Sequence, residues 1–136
     1  MVKFVASVRE SASMEAGVQM VVHLLHCRTT AQLEHWLTPS RSDHQTLENF
    51  YQGIVPLVDF FAEGYQGKYG KIGPEQLPSV YEFPKGEPLD YFLGVAQTID
   101  EMRQLPTFPG DSWLQNVVDV IRLLVSQTIY QLRELS

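Results

Sequence analysis

The sequence predicts an all-α protein, a four-helix bundle with one long crossover between its second and third helices. Three observations carry that prediction. Apolar residues recur at i, i+3, i+4 spacing through most of the chain, period-2 alternation is sustained nowhere, and proline and glycine gather in a few places. At 136 residues the chain fits a single domain, covering residues 1–136.

The first helix is expected over 11–37, a stretch that holds Gly17 and no proline. Val18, Val21, Val22, Leu25, Thr29, Leu33 and Trp36 form its apolar stripe. Thr38-Pro39-Ser40 breaks the chain, and a second helix follows over 42–67, with Leu47, Tyr51, Ile54, Val58, Phe61 and Tyr65 on one face. Residues 67–88 are rich in glycine and proline and read as a loop. A third helical pattern covers 89–105 and stops at Pro106-Thr107-Phe108-Pro109-Gly110. Asp111 then sits where an N-cap belongs, ahead of a last helix that ends near Leu135. Its stripe is Leu114, Val117, Val118, Ile121, Leu124, Val125, Thr128 and Leu132. The connection of about 20 residues between the second and third helices is long for antiparallel neighbours, and a crossover running the length of the bundle accounts for it.

Composition bounds the function. Hydrophobic residues make up 44% and charged residues 19%, which suits a folded domain and not a disordered chain. Acids outnumber bases 16 to 10, and a net charge of −6 disfavours broad attraction to nucleic acid or an anionic membrane. The single cysteine, Cys27, excludes an intrachain disulfide and a cysteine-based zinc cluster, and reads as a small buried hydrophobe. No apolar run is long enough to span a membrane, and residues 1–10 lack the apolar core of a secretory signal, so the cytoplasm is the expected location.

The chemistry lies in the second helix. His44, Glu48, Asp59 and Glu63 are spaced by four, eleven and four residues. At about 100° per residue they share one stripe about 100° wide, beside the apolar face. Imidazole and carboxylates on the flank of a packed face suit a transition metal. One helix cannot close them on a single ion, because Glu48 and Asp59 stand about 16 Å apart along the axis. An antiparallel copy of the same helix would set His44 against Glu63 and Glu48 against Asp59. The crossing point would then fall between Gly53 and Ile54, where glycine permits close approach. Pro56, close by, would bend the helix. His35, nine residues before His44 across the short break, would complete each site. Iron, manganese or zinc would fit such a ligand set. Without a metal, the same residues would form a polar seam.

These residues resemble the Dps-like branch of the ferritin superfamily, mini-ferritins that oxidise ferrous iron. The matching pattern is His35-Trp36, then His44-x3-Glu48, then Asp59-x3-Glu63, within residues 18–67. The resemblance implies a ferritin-like bundle and iron as the metal. It implies a site shared across a two-fold dimer, with His35, His44 and Glu48 from one subunit and Asp59 and Glu63 from its mate. It further implies peroxide or dioxygen as oxidant, iron storage or protection from oxidative stress as the role, and homo-oligomers up to a twelve-subunit shell. Trp36 would be the family's aromatic quencher of stray oxidising equivalents; read from its spacing alone, it is a core-packing residue. Gln32 stands where the family often has a second histidine, and the loop before His44 is shorter than usual. The Lys-rich tail with which some relatives hold DNA is missing, so no nucleic-acid partner is expected. Residues 62–70 are also similar to uncharacterised ferritin-like proteins of tailed phages.

His23 and His26 have no acid at i±3 or i±4 and read as core or surface histidines. The alternative to ferroxidase chemistry is a ferritin-like structural or interaction module without metal, with 67–88 as its contact surface. A static zinc site that stabilises a dimer is the third reading.

Overall fold

The computed structural model describes residues 2–78, 80–105 and 110–136, with residues 2–15 described by backbone alone. Four α-helices form: α1 (Val2–Leu37), α2 (Arg41–Tyr69), α3 (Pro88–Met102) and α4 (Ser112–Glu134), with a 3-10 turn at Pro74–Gln76 and no strand among the described residues. α1 starts well before the expected position 11. α3 stops at Met102, short of the expected 105. Of the expected proline-rich stop, residues 106–109 lie outside the described residues.

Local chemistry explains the helix ends. Pro39 cannot extend α1, and Ser40 opens α2 by accepting a hydrogen bond from the Asp43 N–H at 3.2 Å. Gly70, at φ 97°, ends α2 in a conformation that favours glycine. Pro88 sits in the first turn of α3, where its missing N–H costs nothing. α2 continues through Pro56, which leaves the Gln52 carbonyl without its ladder donor. Asp111 occupies the N-cap position of α4, but its side chain does not cap the helix. The buried carboxylate instead pairs with Lys68 and accepts from the Tyr69 hydroxyl at 2.5 Å, tying the end of α2 to the start of α4.

The packing forms a closed ring. α1 packs on α2 and α3, and α4 packs on the same two helices, so α2 and α3 stand at opposite corners. The chain must therefore cross the bundle between them, and the described residues 70–78 and 80–87 run along α1. Leu77 and Pro78 border a groove with Val18, Val22 and His26; Tyr81 bonds Thr30 and meets the His26 ring edge-on at 5.0 Å. Phe83 and Gly86 then reach Glu34 and Leu37 at the end of α1. The long connection read from the sequence is thus a crossover.

The stripes expected for α2 and α4 face the core. That of α1 is rotated. Val18 and Val21 are buried as expected, but the buried face continues through Met20, Leu24, Cys27 and Ala31, whereas Leu25 is exposed and Trp36 is 64% exposed. α1 is apolar on most sides between 18 and 27, so two stripes competed and packing chose the other one. Trp36 is therefore not a core residue. Gly17 lies against the Tyr65 ring, leaving no room there for a Cβ and bringing α1 and α2 close together.

Candidate functional site

The three-residue corner between α1 and α2 sets His35 and His44 face to face. Their rings stack with centroids 3.6 Å apart and 24° between planes. His35 Nδ1 donates to the His44 carbonyl at 2.8 Å, and His44 Nδ1 donates to the His35 carbonyl at 2.8 Å. A carbonyl oxygen accepts and never donates, so each Nδ1 carries the proton. In the neutral ring the lone pair then resides on Nε2. A ring held in this way, with one nitrogen donating to a backbone carbonyl and the other free to bind, is the usual arrangement of a metal-ligating histidine. The bond to the His35 carbonyl also satisfies one of the last-turn acceptors of α1. The two histidines differ in access: His35 is buried, with the Tyr51 ring edge-on at 5.3 Å, while His44 is exposed.

Glu48, one turn beyond His44, is half-buried, and the two border an open groove with Arg41, Asn49 and Gln131. Asp59 and Glu63 are exposed near the other end of α2. Among the described residues no three histidine, cysteine or acidic side chains converge on one point within the chain. The structure therefore brings together His35 and His44, with Glu48 a turn away, and leaves Asp59 and Glu63 apart from them. Exposed apolar residues accompany the stripe: Val55 lies between its two halves, and Phe60, 61% exposed, follows Asp59. Gly53, at the expected crossing point, is partly exposed, and a Cβ there would stand in ordinary contact with Leu124 at 3.4 Å.

Sequence reasoning missed Glu34. It is only 7% exposed, and its Oε1 has no hydrogen-bond partner. Burial, together with the charge of Glu87, pushes its carboxyl up to about 7. The signal was present, since Glu34 follows Cys27 and Ala31 at the spacing of the buried stripe. A second unrecognised cluster lies along the crossover. Cys27 Sγ is 3.8 Å from His23 Nε2, and burial pushes its thiol up to about 12, with the Tyr91 hydroxyl partly opposing the shift. Burial lowers the pKa of His23 as well. Desolvation favours the neutral form of each group, so this is a structural core and not a nucleophilic site.

The model of DUF5856, a family of unknown function, matches residues 35–132, and the chain belongs to that family. The match begins at His35 and includes all five candidate ligands. No curated protein and no solved structure matches the chain.

Proposed function

We propose that the protein binds ferrous iron and oxidises it at sites shared between two antiparallel copies of α2, in a Dps-like, ferritin-type assembly. The observation that carries this reading is the reciprocal pair of Nδ1–carbonyl hydrogen bonds, which leaves both Nε2 lone pairs of His35 and His44 available as ligands. Further support comes from the ring-shaped packing of four helices with a crossover between α2 and α3, a topology shared with ferritin-like bundles. Exposed Val55 and Phe60 beside the acidic stripe give a second copy apolar surface to cover.

In this reading His35, His44 and Glu48 hold the substrate iron from one copy, and Asp59 and Glu63 approach from the other. Two neutral imidazoles and three carboxylates stabilise ferric more than ferrous iron, because the added positive charge meets nearby anions. Two ferrous ions supply the two electrons that, with two protons, reduce one hydrogen peroxide to two waters.

The test uses anaerobic ferrous titration followed by peroxide, with absorbance reporting ferric iron. His44→Ala and Glu63→Gln should each abolish acceleration over buffer while the helical signal is retained. Co-refolding the two variants should restore activity, because a mixed dimer regenerates one intact site; random pairing yields about a quarter of the wild-type sites. Wild-type protein no faster than buffer, or a mixture as inactive as its components, defeats the reading.

One observation favours a second reading, an interaction module. The crossover exposes Leu77 and Val80, the latter by 75%. That reading predicts no bound metal by elemental analysis and no effect of Glu63→Gln on partner capture.

A further inference from the structure

The crossover meets the end of α1 around a cavity of about 190 Å³. Glu34 lines it from α1 and Glu87 from the start of α3, while Leu37, Pro39, Phe83 and Pro88 supply apolar walls. Glu34 Oε1 is fully buried and without a hydrogen-bond partner, and Glu87 lies within Coulombic reach. The ion pairs among the described residues all lie elsewhere. A buried carboxylate beside a second acid, with no donor, is complemented by a cation.

The walls decide which cation. A hard divalent ion takes six or more oxygen ligands, and no third acidic or histidine side chain joins these two among the described residues. An ammonium head on an aliphatic stem satisfies both halves of the cavity: it donates to Glu34, stays near Glu87, and lays its methylenes against leucine and proline, with the Phe83 ring at hand for a cation. A cavity of about 190 Å³ has room for a short stem. We propose that this corner cavity binds a primary alkylammonium group, carried by a free aliphatic amine or by a lysine side chain. The site does not depend on the iron reading.

Titration of the full chain with n-butylamine, 1,4-diaminobutane and Nα-acetyl-lysine methylamide, followed by the Thr38 and Gly86 amide resonances, tests it. Saturable shifts are expected with the amines and not with n-butanol. Tighter binding of the diamine points to a free amine, and tighter binding of the lysine derivative to a protein partner. Glu34→Gln should weaken binding at least tenfold. Glu87→Gln, at an exposed position that leaves the core untouched, should weaken it about threefold. The proposal is overturned by no shift at about 50 mM amine, by shifts unchanged in both variants, or by a response to magnesium or manganese with none to amines.

Discussion

Replacing Gly17 by alanine tests the close approach that sets α1 against α2. Helix propensity alone makes the change favourable by about 1 kcal/mol, since glycine is the poorer helix former. The tertiary structure predicts the opposite sign. A Cβ at Gly17 falls well inside contact distance of Cε2, Cδ2 and Cζ of Tyr65. That ring cannot swing aside freely: it is 1% exposed, stacked on Phe61 at 6.3 Å and tilted against Tyr69 at 4.9 Å. Overpacking a buried contact costs about 1–3 kcal/mol, more where the backbone must separate. With overpacking at about 3 kcal/mol, because the ring is pinned, and about 1 kcal/mol returned by propensity, the expected loss is roughly 2 kcal/mol, a fall of about 7 °C in Tm for a chain of this size. Urea unfolding followed by circular dichroism at fixed protein concentration measures it. Gly94→Ala in α3 is the internal control: no atom lies within 4 Å of its added Cβ, so propensity acts alone and stability should rise by about 0.5–1 kcal/mol. Reducing the ring in the double variant Gly17→Ala/Tyr65→Leu should recover part of the Gly17→Ala loss. If Gly17→Ala proved as stable as the parent while Gly94→Ala gained, the proposed helix contact would be wrong.

Other outcomes follow from buried groups. Glu34 is raised from an ordinary 4.5 to about 7, so the folded state keeps a proton that the unfolded chain has released; stability should fall as pH rises from about 4.5 to 7 and level off above. Glu34→Gln should remove that slope, matching the parent at low pH and exceeding it at pH 8 by up to ~3 kcal/mol, as denaturation at several pH values would reveal. Asp111→Ala should cost about 2 kcal/mol by removing the buried acceptor shared by Lys68 and Tyr69, measured by thermal unfolding. Cys27, with its thiol pushed up to about 12, should resist iodoacetamide at pH 8 until urea unfolds the chain; rapid native labelling would contradict its burial.

Much of this fold was legible in one dimension. The stripes of α2 and α4, the break at Pro39, and the long connection that becomes the crossover all follow from periodicity and from residues that cannot extend a helix, whereas α2 runs to Tyr69, two residues past the expected 67. α1 was legible as a helix but not in rotation. Its apolar residues circle the axis, and the choice between the Leu25–Trp36 and Leu24–Cys27 faces was made by what packed against it. The candidate site divides in the same way. Spacing placed His44, Glu48, Asp59 and Glu63 on one stripe, whereas the stacked rings and mutual hydrogen bonds of His35 and His44 depend on how a three-residue corner turns.

The sequence by itself determined the helices, their order and which acidic and histidine side chains share a stripe, because those properties repeat along the chain with the period of the helix. The tertiary structure alone decided that Glu34 lies inside without a hydrogen-bond partner for Oε1, that Asp111 binds Lys68 and Tyr69 and leaves its helix uncapped, and that Gly17 receives the Tyr65 ring. Each of these depends on a contact between residues distant in sequence, and no local periodicity encodes which side chain arrives across the gap.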